Sequence, residues 1–182
     1  MHPWHDVYID EDQLTETFPV VIEVPMGSKN KYELDKESGL LKLDRVLFSA
    51  VHYPANYGFV PRSFCDDGDP LDALVLGQES VVPLCIMHAR AIGVMRMRDD
   101  KGIDDKIIAV SVNDPVYSEH MKLQDLPEHK LLEIQRFFED SKALEHKEVV
   151  VEGMQERQEA LDILRESLVM YRKLRRGELA KG

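Results

Sequence analysis

Four carboxylates fall within the seven residues Asp66-Asp67-Gly68-Asp69-Pro70-Leu71-Asp72, and no other stretch restricts the possible fold as strongly. Pro70 has no backbone donor and Gly68 disfavours helix, so these charges cannot be the solvated face of a helix. Held in a loop, they repel one another unless something cationic gathers them. Aspartates at short fixed spacing are the usual oxygen donors for hard divalent cations. An EF-hand does not fit: counted from Asp67, it needs glycine where Asp72 stands and an oxygen ligand where Leu71 stands. Ala73 to Leu76 then follows as an apolar strand.

A net charge of -11 over 182 residues argues against nucleic acid or an anionic membrane as the main partner. It would also repel an anionic substrate, unless bound metal ions dominate the local field. The length suits one domain with a real core, expected over 1–182. Cys65 and Cys85 are the only cysteines, and Asp6, Asp10, Glu11 and Asp12 stand where a secretory leader would need basic and apolar residues. No apolar run approaches the ~20 residues of a membrane span. Two free thiols in the cytoplasm are the expectation.

The first half reads as mainly β. Residues 1–16 form an arm without clear period. Strands are expected at Phe18 to Met26, Asn30 to Asp35, Leu40 to Leu43, Leu71 to Leu76, Cys85 to Met97 and Lys106 to Ser111, with Tyr53 to Ser63 as loop or short strand. In the second half Asp125-Leu126-Pro127-Glu128 reads as a helix start with Asp125 as N-cap, the helix running to about Glu145. One more strand, Lys147 to Glu152, is expected to close at Gly153. A last helix from about Gln155 to Arg176 carries the stripe Leu161, Leu164, Leu168 and Tyr171. Strands followed by helices make the class α+β.

Further charged groups sit where strands meet turns. Asp99-Asp100-Lys101-Gly102-Ile103-Asp104-Asp105-Lys106 surrounds a glycine turn, and Asp104 and Lys106, two apart, point the same way. Lys31 and Glu33 share one strand face, with Tyr32 and Leu34 on the other. Glu23 lies in an otherwise apolar strand, so it must be edge-exposed or partnered. His52 and His88 have no ligand-spaced partner and read as packed or surface groups. Carboxylates beside Cys65 disfavour a reactive thiolate.

Taken together, the blocks Val21-Ile22-Glu23-Val24-Pro25, Lys31-Tyr32-Glu33, Leu43-Asp44-Arg45, Tyr53-Pro54-Ala55-Asn56-Tyr57-Gly58, Asp67 to Asp72, Gly93-Val94, Asp99 to Lys106 and Phe137-Phe138-Glu139 resemble the family I soluble inorganic pyrophosphatases, in that family's order. The resemblance implies a five-stranded OB-type β-barrel with two main helices packed outside, the second of them C-terminal. It implies Mg²⁺-dependent hydrolysis of pyrophosphate to two orthophosphates, several ions per site, with Mn²⁺ as a substitute. Position by position, Asp67, Asp72, Asp99 and Asp104 resemble the metal ligands, and Asp69 the general base acting on a metal-activated water. Lys31, Arg45, Tyr57, Lys106 and Lys142 resemble the phosphate-holding groups. Glu23 and Glu33 resemble outer-shell or additional metal partners, with Tyr53 supporting. The resemblance implies a homo-oligomer, a hexamer as in bacterial members or a dimer as in others, the hexamer being favoured for so short a chain.

One position departs. The family usually has tyrosine before the lysine of its F-F-E-x-Y-K-x-L-E block, and here Ser141 precedes Lys142. Serine is too short to carry a hydroxyl to a distant phosphate, so a weakened or rearranged site is expected. Two rivals follow: a metal- and phosphate-binding protein that has lost turnover, and an OB-fold binder of single strands. The second lacks the basic, aromatic-lined groove such binding needs.

Overall fold

The structure, a computed structural model, describes residues 1–179; the last three residues of the expected domain lie outside them. Five strands form a closed ring in the order β1 (Phe18–Val24), β4 (Asn56–Phe59), β5 (Asp72–Leu76), β8 (Lys106–Ser111) and β6 (Ile86–Asp99), which pairs back to β1. β7 (Gly102–Ile103) and β9 (Val150–Glu156) extend the sheet beside β6. A separate two-stranded ribbon joins β2 (Asn30–Leu34) to β3 (Leu41–Val46). The helices are α1 (Glu128–Ser141) and α2 (Arg157–Arg175). The fold is α+β of the OB type, as expected. No helix among the described residues is long and apolar enough to cross a membrane.

Closure depends on β6, whose 14 residues meet β1 at one end and β7, β8 and β9 along the rest. Register shifts at Ala91/Gly93 against β8 and at Arg96/Met97 against β9 mark bulges that bend it. Where β1 crosses β4, Gly58 is required: a Cβ there would lie 1.9 Å from the Val21 carbonyl oxygen.

β5 shows why its sequence is a continuous apolar run. Ala73 and Val75 pack with Leu161, Leu164 and Leu168 of α2. Leu74 and Leu76 pack with Ile134, Phe137 and Phe138 of α1. A strand buried on both faces has no polar alternation to show. Each of these leucine or phenylalanine side chains contributes roughly 1.5–3 kcal/mol by leaving water.

Four expectations need correction. Asp125 does not cap α1; its carboxylate accepts from the backbone N–H groups of Met121 and Lys122 around a 3-10 turn, Leu123–Asp125, and Pro127 starts the helix. α1 stops at Ser141, and a separate 3-10 turn covers Ala143–Glu145. β9 runs through Gly153 instead of closing there, because that glycine takes φ 140° within the bulged pairing to β6. The alternation expected for Lys31 to Leu34 is interrupted by a bulge at Lys31/Tyr32. The arm packs more firmly than its lack of period suggested: Trp4 is buried and its indole N–H donates to the Ser63 carbonyl at 2.8 Å.

Candidate active site

The acidic loop is shaped by its own short hydrogen bonds. Cys65 N–H donates to the Asp69 carbonyl (2.9 Å), Gly68 N–H to the Cys65 carbonyl (3.0 Å), and Asp69 N–H to Asp67 Oδ1 (3.0 Å). Gly68 supplies the left-handed residue, with φ 84°. The chain then enters β5 at Asp72, which pairs in parallel with β8 so that Asp72 lies beside Lys106. That register joins two sequence-distant charges in one place.

Lys106 is buried, and its Nζ donates to Asp72 Oδ2 (2.5 Å), Asp104 Oδ1 (2.8 Å) and the Tyr57 hydroxyl (3.0 Å). Burial opposes its charge, but Asp104 and Asp72 outweigh that and hold it well above the ordinary lysine range. Asp72 is pushed up by burial, which Lys106 only partly offsets. Asp67, desolvated and facing Asp69, Asp72 and Asp104, is raised to about 6. Burial would also raise Asp99, but the Lys101 N–H and the Lys142 ammonium, 3.0 Å away, hold it below its usual value.

The β2–β3 ribbon and the turn after α1 carry the other cations. Lys31 lies 3.3 Å from Asp44, Arg45 lies 2.5 Å from Asp44, and Arg45 Nε lies 2.9 Å from Glu145 Oε1. Under them is an aromatic floor, with Tyr53 4.6 Å from Phe137 and Tyr57 6.2 Å from Phe138 between ring centroids. Burial raises both phenols above their ordinary range. Glu23 is partnered, as one of its two sequence options required: it accepts from Leu34 N–H at 2.7 Å, and burial pushes it up to about 8.

A cleft of about 130 Å³ collects most of these groups, with Asp44 and Glu145 outside its lining. Asp67, Asp69, Asp72, Asp99 and Asp104 border it, as do Lys31, Arg45, Lys106 and Lys142; Glu23, Glu33, Tyr53 and Tyr57 complete the expected set. His52 and His88 are exposed and lie elsewhere. Burial and the neighbouring carboxylates raise the Cys65 thiol, which disfavours its thiolate. Sequence reasoning assigned no role to Lys36, whose Nζ lies 2.6 Å from Asp69 Oδ1, nor to Asp44 and Glu145, which hold Lys31 and Arg45. The Lys36–Asp69 pair spans 33 residues, so no local pattern marks it. Ser141 borders the cleft too, but its hydroxyl donates back to the Phe138 carbonyl at 3.1 Å.

The donor set fits hard divalent cations. Every candidate ligand is a carboxylate oxygen, the donor that Mg²⁺ prefers over nitrogen or sulfur. Lys36 pairs with Asp69, Lys106 with Asp72 and Asp104, and Lys142 with Asp99, while Asp67 has no cationic group within 4.0 Å among the described residues. Among the described residues no three carboxylate, imidazole or thiol groups already close around one point.

Comparison with known proteins agrees with this geometry. Residues 20–172 match the model of the family described as inorganic pyrophosphatase. Soluble inorganic pyrophosphatase 2 of Chlamydomonas reinhardtii is 54% identical over 170 residues, 93% of this chain and 88% of that protein. Soluble inorganic pyrophosphatase 1 of Arabidopsis thaliana is 51% identical over 170 residues, 93% of this chain and 80% of that one. Among solved structures, the Helicobacter pylori inorganic pyrophosphatase superposes with a TM-score of 0.87 at 42% identity, covering 92% of this chain and 99% of its own. The Thermus thermophilus enzyme does so with a TM-score of 0.87 at 41% identity, covering 91% and 97%. With its closed five-stranded ring, its aspartate- and lysine-lined cleft and these relatives, the chain belongs to the inorganic pyrophosphatase family.

Proposed function

We propose that Asp67, Asp72, Asp99 and Asp104 hold the divalent cations with which this inorganic diphosphatase hydrolyses pyrophosphate to two orthophosphates. One observation carries this reading: a single cleft holds both a crowd of aspartates and a crowd of cationic side chains, as a polyanionic substrate bound through metal requires. When bound, Mg²⁺, or Mn²⁺ in its place, would acidify the attacking water and offset charge on the phosphate oxygens.

The chain's own groups do the rest. Lys31, Arg45 and Lys142, with the Tyr57 hydroxyl and Lys106 deeper in, hold the phosphate oxygens and keep the attack in line. Glu23 and Glu33 back the metal ligands from further out, and Tyr53 supports them. The water oxygen bonds to one phosphorus, the bridging P–O bond breaks, and the departing phosphate keeps the electron pair. Asp69 accepts the water's proton. Lys36 takes Oδ1 of that carboxylate, which leaves Oδ2 for the water.

Phosphate release from pyrophosphate by the purified chain should be fast with millimolar Mg²⁺ and abolished by excess EDTA. Asp69→Asn should slow turnover by roughly a hundredfold or more, the usual share of a general base. Near-normal turnover in that variant would remove the role. The second reading, a binding protein with eroded turnover, rests on serine standing at position 141, with its hydroxyl bonded inside its own helix. Tight Mg²⁺-dependent phosphate binding without hydrolysis would support it.

The same proposal makes the working form a cytoplasmic homohexamer that needs no nucleic acid and no membrane. The two unbridged cysteines and the exposed apolar run of Val82, Leu84 and Ile86 support it. Light scattering from the dilute protein tests the assembly, and cell fractionation the compartment.

A further inference from the structure

A second concavity, of about 330 Å³, opens where the N-terminal arm crosses the C-terminal end of α2. Arg62, Arg172 and Arg175 line it with His5, Tyr171 and Glu11. Three guanidinium groups around one hollow are out of character for a chain of net charge -11. Arg172 is paired with Glu11. Arg62 donates through Nε to the His5 carbonyl at 3.0 Å, and its two terminal nitrogens have no hydrogen-bond partner among the described residues. Among those residues no carboxylate lies within 4.0 Å of Arg62 or Arg175. Asp6, the other nearby acid, already accepts from His2 N–H at 2.6 Å and lies 4.0 Å from the N-terminal ammonium.

Basic residues in the last turn of a helix complement its dipole, which accounts for Arg172 and Arg175. It does not account for Arg62. That residue comes from the loop after β4 and holds φ 54°, a left-handed conformation that side chains other than glycine rarely adopt. Its N–H donates to the Trp4 carbonyl at 2.9 Å, so the arm sustains the strain that keeps the guanidinium in place.

We propose that this hollow is a second oxyanion site, separate from the catalytic cleft, that takes a phosphate group on Arg62 and Arg175. Guanidinium forks match phosphate oxygens two at a time, and here they approach from two different elements. His5 Nδ1 lies 2.8 Å from the Tyr171 hydroxyl. When that nitrogen carries the proton, the phenol O–H is free to point at the anion. The ligand is free inorganic phosphate or the phosphate of a nucleotide. Either would tie the arm, the loop and α2 together.

Trp4 is the sole tryptophan, and its ring lies 4.6 Å from His5 and 5.9 Å from Tyr171, so its fluorescence reports on this hollow. Inorganic phosphate, titrated into the full chain in EDTA, should change that emission saturably. Arg175→Gln should weaken the binding roughly tenfold or more, and Arg62→Gln likewise. Lys142→Gln, in the catalytic cleft, should leave the titration unchanged. A parallel titration with adenosine 5′-monophosphate identifies the source: the tighter ligand is the one the site is built for. No saturable change in the folded wild type for either ligand would overturn the proposal. So would a signal that survives Arg175→Gln and disappears in Lys142→Gln. Arg175 is exposed, so its variant keeps the test valid if Arg62→Gln does not fold. Turnover is not the readout, so failure here is distinct from failure of the pyrophosphate reading.

Discussion

Replacing Ser141 by tyrosine should raise activity, by an amount set by one hydrogen bond gained and one side chain ordered. Ser141 ends α1, is buried at the wall of the catalytic cleft, and spends its hydroxyl on the Phe138 carbonyl at 3.1 Å. It therefore presents no donor to a phosphate. A phenol carried into the cleft beside Lys142 would add one hydrogen bond to a charged acceptor, worth about 1.5–3 kcal/mol. Ordering the new ring costs up to about 1 kcal/mol. The net, roughly 1–2 kcal/mol, corresponds to about a five- to thirtyfold increase in kcat/KM. Initial rates of phosphate release at fixed millimolar Mg²⁺ measure it, with Ser141→Ala as the control. Since the serine hydroxyl bonds within its own helix, Ser141→Ala should stay within about twofold of wild type. A tenfold loss in Ser141→Ala would show that the hydroxyl serves the substrate and overturn this prediction; so would a folded Ser141→Tyr protein with no gain.

Glu23→Gln tests the buried carboxyl through pH. Its pKa in the fold is about 8 against an ordinary 4.5, so the folded state binds the proton more tightly, and wild type loses stability as pH rises through that window. Urea denaturation in EDTA should show the two proteins alike near pH 4.5 and the variant ahead by a few kcal/mol, on the order of 3–5, above pH 8; parallel curves would contradict this. Lys106→Met strips the shared cation from Asp72 and Asp104, and should destabilise the metal-free protein by roughly 3 kcal/mol, with part recovered on adding Mg²⁺. Gly58→Ala forces a Cβ against the Val21 carbonyl. Its unfolding free energy should fall by about 1–3 kcal/mol or more, seen as a lower urea midpoint at unchanged slope, and an unchanged midpoint would mean β1 and β4 can part without cost.

Much of the cleft could be read in advance because its groups come in short, rigid pieces. The Asp67–Asp72 loop is set by glycine, proline and an aspartate-capped turn, all within a few residues. Asp104 and Lys106 meet because a strand start places alternate residues on one side. The end of α1 was harder to read, since the pattern through Glu145 continues after the backbone has left the helix. Asp125 carries the right chemistry for a cap but serves the preceding turn, a difference of a few residues that propensity does not resolve.

By itself the sequence determined the α+β class, the loop that gathers the carboxylates, the strand that follows it and the resemblance that assigns acids to metal and bases to substrate. These depend on local backbone preference and on residue type. Only the tertiary structure decided which charges neutralise which. Lys36 on Asp69 and Glu145 on Arg45 join residues far apart in the chain, while Lys106 reaches Asp72 through the parallel register of β5 and β8. The left-handed Arg62 facing the end of α2 belongs to the same class. Each of these is a contact between elements whose relative placement comes from barrel closure and core packing, and a one-dimensional pattern carries no term for that.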